Sequence, residues 1–305
     1  MEQPKENFVI IDSNSVIHRA FHALPPLTRS DGKVVNAVYG FLLVLFKLFK
    51  ELQPKYLAAC FDVPAPTFRK QAFAAYKAQR KKAPDELYEQ IPMVKDVLRA
   101  FNISVFEMAG YEGDDIIGTI AADNTKKGIH SIVVSGDTDN LQLVDPNTEV
   151  YFLSQGVKQA IIYNEDKVKE KYGGLSPFEL VELKGLKGDA SDNIPGVKGI
   201  GEKTAEKLVH EYGTIDNLYN HLEDADLPSS LKEKLTTGRE QALLSRHLSE
   251  IRRDVPLTED LSSCRWDGYD HEQAAETLKS FGFSSLLKNI PGQEGKTVGQ
   301  NLKLW

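Results

Sequence analysis

The chain predicts an α/β fold: a doubly wound, mostly parallel sheet followed by a helical C-terminal subdomain. Three observations carry this reading. Short apolar runs alternate with helical stretches through the first half, acidic residues gather where those runs end, and from about Ser176 the pattern is helical with no convincing strand. Strand–helix alternation at this spacing is the mark of parallel strands joined by crossover helices on both faces.

Each element has its own reason. FVII (8–11) is a short apolar strand, and NAVYGFLLVLFKLFKEL (36–52) is apolar on most of its faces, as a largely buried helix is. YLAACF (56–61) is the next strand. Pro84 opens a helical pattern through Ala100, followed by the strand ISVFEM (103–108). DDIIGTIAADNTKKG (114–128) begins with acids at the positive end of a helix and closes on Gly128. SIVVSG (131–136) and EVYFLS (149–154) complete the strands. The boundary between the two parts is placed at 175/176, the second running to 290. The tail 291–305 is polar with Gly and without periodicity, as a linker or frayed end is.

Nine carboxylates fall at these strand ends or helix starts: Asp12, Asp62, Glu112, Asp114, Asp115, Asp137, Asp139, Asp189 and Asp192. The carboxyl ends of parallel strands converge on one crevice. So many acids together raise one another's pKa unless cations neutralise them. Any one Asp could be a helix N-cap or a turn residue, but five clusters in register with strand ends predict a metal site. All-oxygen ligand sets suit Mg²⁺, with Mn²⁺ as a substitute. Two such ions are the usual apparatus for in-line cleavage of a phosphodiester.

Composition agrees. With 305 residues and 41% hydrophobic content the chain can bury a full core. Cys60 and Cys264 match no zinc spacing, and a reduced, buried Cys60 implies a cytoplasmic protein. No signal peptide is visible, and the longest apolar run, Ala37 to Phe46, is half the ~20 residues a membrane span needs. The net charge of −7 argues against a nucleic-acid partner only superficially: the 44 acids less the nine above leave 35 against 37 Lys and Arg.

Charge is also unevenly placed. FRKQAFAAYKAQRKK (68–82) holds six cations and no acid, and aromatic residues interleave with Arg69, Lys77, Arg80 and Lys81. On a helix Lys77 and Arg80 share a face, and cations beside a ring such as Tyr76 suit a single strand, phosphates on the charges and a base on the ring. The alternative is a solvated helix face whose aromatics belong to the core. In IPGVKGIGEKTAEKLVHEYG (194–213), Gly196, Gly199 and Gly201 permit a tight turn before a helix from about Glu202. Turn amides, a helix N-terminus and Lys198, Lys203 and Lys207 make a site for one backbone phosphate. The signature GxxxxGK[ST] is absent, and the pattern reads as a helix–hairpin–helix, or else as an ordinary glycine turn between helices.

IDSNS, RAFHALP, TFR, YKAQR, YEGDDIIGT, SGDTDNLQL and LKGLKGDASDNIPGVKGIGEKTA together resemble the 5′-nuclease (flap endonuclease) family, in its order and spacing over residues 7–290. The resemblance is closest to the N-terminal 5′→3′ exonuclease domain of bacterial DNA polymerase I. Two positions depart: Ser13 stands where the family has Gly, and Thr138 where it has a basic residue.

The resemblance implies a PIN-like, Rossmann-like nuclease core with a basic arch over residues 66–84. It implies Asp12, Asp62, Glu112 and Asp114 around a first metal and Asp137, Asp139 and Asp192 around a second, with Asp115 and Asp189 behind them. Lys77 and Arg80 would neutralise the scissile phosphate, and Tyr76 would stack on a base. Arg19, Arg69, Lys81, Gly196, Lys198, Gly199, Gly201, Lys203 and Thr204 would contact DNA, with a K⁺ at the hairpin. The expected activity is 5′→3′ exonuclease and 5′-flap endonuclease, acting as a monomer on flaps, nicked or gapped duplex and RNA–DNA primer junctions, with a polymerase domain following. A PIN-like ribonuclease and a catalytically inactive DNA-binding module are the alternatives. The first should lack the arch and the hairpin, and the second has no use for an intact acid set.

Overall fold

The computed structural model describes residues 6–157, 159–258 and 261–291. The elements run β1 (Asn7–Asp12), α1 (Ser13–Ala23), α2 (Asn36–Leu52), β2 (Tyr56–Phe61), α3 (Phe68–Ala72), α4 (Asp85–Tyr88), α5 (Gln90–Ala100), β3 (Ser104–Glu107), α6 (Gly113–Lys126), β4 (His130–Ser135), β5 (Thr148–Gln155), β6 (Gln159–Tyr163) and α7 (Glu165–Lys171). After these come α8 (Glu179–Lys187), α9 (Glu202–Tyr212), α10 (Ile215–Asn220), α11 (Ser229–Thr237), α12 (Arg239–Ser249) and α13 (His271–Ser280). The expected tail lies, from residue 292, outside the described residues.

The sheet order is β3-β2-β1-β4-β5-β6, parallel except for β6, which pairs antiparallel with β5. Strand β1 therefore lies between β2 and β4, where the chain changes direction across the sheet and where open α/β sheets leave a crevice. Both faces are buried over the central strands β1, β2 and β4, which are accordingly apolar along most of their length, while the edge strands β3 and β6 are more open. Val9 and Ile11 of β1 face one core with α1, α2 and α5; Phe8 and Ile10 face the other with α6. Helix α2 buries eleven of its 17 residues, which explains its nearly unbroken apolar sequence.

The helices after residue 178 share the second core: Leu183, Leu186, Leu208 and Leu235 join the same cluster as Phe8 and Ile117. Helix α13 departs from them. Its Ala274 and Leu278, with Phe281 and Phe283 just beyond, cross to the first core beside α5.

The basic segment corrects an expectation. Only Phe68–Ala72 is helical; turns follow through Gln79. Lys77 takes a left-handed φ of 53°, its N–H donating to the Asp192 carbonyl at 2.9 Å, and Asn193 Nδ2 donates to the Ala75 carbonyl at 2.8 Å. The segment bends because the 192–193 loop captures its backbone, so Lys77 and Arg80 do not share a helix face. Strand β6 and the short helices α1 and α7 were not anticipated.

Candidate active site

A cleft of about 580 Å³ opens at the carboxyl ends of β1, β2 and β4, lined by Asp12, Asp62, Glu112, Asp114, Asp137, Asp139 and Asp192, with Lys77 and Arg80 above them. The strands place the acids. Asp12 ends β1 and also caps α1, its Oδ1 accepting from the Ser15 N–H at 3.0 Å and its Oδ2 from Ser135 Oγ at 2.6 Å. Asp62 follows β2, with Oδ1 accepting from the Gly113 N–H at 2.6 Å, so the loop after β2 and the start of α6 are tied together. Asn140 Nδ2 donates to Asp114 Oδ1 at 3.0 Å. At Asp12 and Asp137 the capping role is thus met by the same side chains that line the cleft.

Electrostatically the cleft has two halves. Among the described residues, Asp12, Asp62, Asp114 and Asp137 have no Lys or Arg within ion-pair distance. Burial, together with the neighbouring carboxylates, pushes the Asp12 carboxyl up to about 7 and raises Asp114 well above the usual carboxylate range. The other acids have resident cations. Lys77 Nζ lies 2.9 Å from Glu112 Oε2 and 3.9 Å from Asp192 Oδ2, and Arg80 Nη2 is bonded to Asp192 Oδ1. Burial alone would lower the Lys77 ammonium, but these two carboxylates outweigh it and hold it above its ordinary value. Lys184 bridges Asp139 and Asp189. Among the described residues no group of three acidic, His or Cys side chains is gathered closely enough to hold a metal ion.

Several expected roles change. Asp115 is fully buried and accepts both Arg69 guanidinium nitrogens at 2.7 Å, along with the Glu112 and Arg252 N–H groups, so it is walled off from the cleft rather than standing behind a metal. Arg69, 2% exposed, also donates to the Leu248 and Glu250 carbonyls and cannot reach DNA. The sequence shows the two charges 46 residues apart and gives no sign of their pairing. Tyr76 is 4% exposed, packed with Ile194 and Leu248, its hydroxyl 3.2 Å from Glu112 Oε2 and 3.3 Å from Asp192 Oδ2. Its ring is not open to a base. Arg19, half-buried at the cleft edge, donates to the Gly136 carbonyl at 2.8 Å and lies over the Phe152 ring, so it is already engaged with the ends of β4 and β5.

In the glycine turn, Gly196 is buried with φ 62°, its N–H donating to Ser245 Oγ at 2.9 Å. A Cβ there would meet the Gly188 nitrogen at 2.3 Å, so this glycine serves close packing and offers no amide to a phosphate. Gly199, with φ 82°, and Gly201, the N-cap of α9, are exposed, as are Lys198 and Lys203; Thr204 is half-buried in the first turn. Lys81 is exposed. Residues missed in the sequence include Lys184, Ser135 and Asn140, and also His18 and His22, which line the cleft from one face of α1. The four-residue spacing of the two histidines was a usable signal.

Two family models match the chain: the 5′-3′ exonuclease N-terminal resolvase-like domain over residues 7–173 and the 5′-3′ exonuclease C-terminal SAM fold over 175–272. The chain is 44% identical over 286 residues to DNA polymerase I of Bacillus caldotenax, which covers 94% of this chain and 32% of that protein. It is 39% identical over 300 residues to DNA polymerase I of Bacillus subtilis (strain 168), covering 98% and 34%. The chain thus spans about a third of the length of these relatives. Among solved structures, bacteriophage T5 5′-exonuclease with bound zinc superposes with a TM-score of 0.67 at 18% identity, covering 92% of this chain and 98% of that one. The catalytic core of Rad2 in complex with a DNA substrate gives 0.58 at 15%, covering 92% and 88%. These two likenesses concern the fold.

Proposed function

The chain belongs to the 5′-3′ exonuclease family of nucleases, and we propose that it hydrolyses DNA from 5′ ends and at 5′ flaps with two divalent ions in the cleft, removing RNA primers and displaced 5′ strands. The observation that carries the reading is the half of the cleft holding Asp12, Asp62, Asp114 and Asp137, carboxylates at strand ends and at the start of α6 with, among the described residues, no Lys or Arg within ion-pair distance. In donor chemistry an all-oxygen set of this kind fits Mg²⁺, with Mn²⁺ as substitute, though the side chains have to draw closer together to share an ion; the solved T5 relative has a divalent metal bound. Asp12, Asp62, Glu112 and Asp114 would hold one ion, and Asp137, Asp139 and Asp192 the other. When bound, the ions supply a water of lowered pKa and charge for the leaving oxygen.

The chain's own groups do the rest. Lys77 and Arg80 stand over the cleft and are positioned to turn from Glu112 and Asp192 to a phosphate. Gly199, Gly201, Lys198, Lys203 and Thr204 anchor the downstream duplex by one phosphate, with a K⁺ at the turn; they form part of a helical DNA-binding subdomain over 176–290. Residues 66–84, Lys81 among them, guide the 5′ single strand. A polymerase domain would follow in the full protein, as the lengths of the relatives suggest, with the work done in the cytoplasm by a monomer. No helix among the described residues is long and apolar enough to cross a membrane.

Two experiments separate chemistry from anchoring. Lys77→Ala should lower the single-turnover rate at saturating enzyme by ~10²–10³, the loss of one preorganised electrostatic donor, with affinity little changed. A rate within about threefold of the parent would leave Lys77 as a tether whose effect salt screens. Lys203→Ala should weaken duplex binding and flatten its salt dependence by about one unit of slope, leaving the cut position unmoved. A shifted cleavage pattern with unchanged affinity would place the hairpin in the chemistry.

A further inference from the structure

The half of the cleft around Asp139 is organised unlike the half around Asp12. Lys184, on α8, donates from Nζ to Asp139 Oδ1 at 2.5 Å and to Asp189 Oδ2 at 2.7 Å, and its side chain is only 18% exposed. Thr138, between Asp137 and Asp139, brings no charge, so the positive charge at this cluster arrives from a separate helix. Helix α8 is fixed by its buried neighbours Leu183 and Leu186, which sets the ammonium between the two carboxylates. The effect on the acids is visible. Although burial opposes it, Lys184 draws Asp189 down to about 2; at Asp139 burial outweighs the lysine and, with Asp137, keeps that carboxyl raised, and the Lys184 ammonium itself is held above its ordinary value by the pair.

We propose that Lys184 is a resident counter-ion that occupies the Asp139–Asp189 cluster until a divalent cation displaces it. The inference rests on the reading of the cleft as a two-metal site. An ammonium and a divalent ion cannot share the same carboxylate oxygens without repulsion, so Lys184 has to withdraw. The structure gives it somewhere to go. A cleft of about 340 Å³, lined by Lys184, Asp139 and Asp189 themselves and on its other walls by Tyr172, Leu180 and Ser191, leaves the side chain room to swing off the carboxylates. The device keeps the acids compatible with folding while metal-free, since unpaired carboxylates in this half would repel as those around Asp12 do. Its consequence is asymmetry: the half around Asp12 takes metal unaided, and the half around Asp139 binds weakly until its lysine leaves.

The test is a Mn²⁺ titration of the DNA-free chain, with free Mn²⁺ counted by electron paramagnetic resonance and the melting temperature followed in parallel. The parent should show one tighter and one weaker site. Lys184→Met should tighten the weaker site on the order of tenfold or more, and Mn²⁺ should raise its melting temperature further than the parent's. Lys184→Gln checks that result should the methionine variant not fold, and Lys184→Arg should stay parent-like. Adding Asp139→Asn should abolish the gain. Unchanged or weaker binding in Lys184→Met and Lys184→Gln, or a gain that survives Asp139→Asn, overturns the proposal while leaving the two-metal reading intact. A parent that binds no Mn²⁺ at millimolar concentration sinks that reading and this inference with it.

Discussion

Asp12→Asn should reduce cleavage of a 5′-flap substrate by on the order of 10³–10⁴, because several kcal/mol of metal-borne transition-state stabilisation depend on that carboxylate, while flap binding stays within a few-fold. The same substitution should stabilise the metal-free protein. Burial first, and then the charges of Asp137 and Asp62, push the folded Asp12 carboxyl up to about 7 from an ordinary 3.8. Between these values the folded chain keeps a proton that the unfolded chain has released. Stability therefore falls as pH rises through that window, and the penalty is complete above pH 7. Denaturation in EDTA at pH 8 should show Asp12→Asn more stable than the parent by roughly a few kcal/mol, with the gap closing near pH 4. A variant no more stable at pH 8 would mean that Asp12 is not strained by its neighbours.

The opposite sign is expected at Arg69 and Asp115. Their bidentate pair is dry, and Arg69 also ties α3 to the end of α12 through the Leu248 and Glu250 carbonyls. Burial alone would lower the guanidinium, but Asp115 outweighs it and holds it above its ordinary value. Asp115→Ala leaves a buried cation without a partner and should cost ~3–5 kcal/mol. Replacing both by apolar residues of similar volume should recover most of that loss, since the desolvation of both ions disappears with them. Urea denaturation of the single and double variants measures both. A loss under about 1 kcal/mol for Asp115→Ala would show that water reaches the pair.

The fold and the cleft were legible to different depths. Helix α2 was readable to its ends at Asn36 and Leu52, because a helix buried along most of its surface writes apolar residues into nearly every position. The acids at strand ends were readable because the parallel sheet brings distant strand ends together by topology. Roles that depend on what lies across the cleft were not. Arg69 looks like a surface cation within a run of six, and its burial is decided by Asp115, 46 residues away, and by carbonyls about 180 residues away. Tyr76 looks like a stacking ring for the same reason, yet its hydroxyl serves two carboxylates. The left-handed turn at Lys77 has no glycine or asparagine to announce it; the Asp192 carbonyl imposes it. Lys184 reads as one of several lysines on a helix, and only the fold sets it between Asp189 and Asp139, 45 residues away. Composition and periodicity encode burial and direction, whereas pairing across the sheet is encoded by neither.

Whether this cleft cuts 5′ ends by metal-dependent hydrolysis, as proposed, is decided most directly by a comparison of two flap substrates. The purified chain is mixed in excess with a labelled duplex bearing a 5′ flap and, separately, with one bearing a 3′ flap of the same length, each in Mg²⁺ and in EDTA. The account predicts cutting near the junction of the 5′-flap substrate in Mg²⁺, none in EDTA, and none of the 3′ flap. Cleavage that persists in EDTA, equal cutting of both flaps, or tight 5′-flap binding in Mg²⁺ with no product would contradict it.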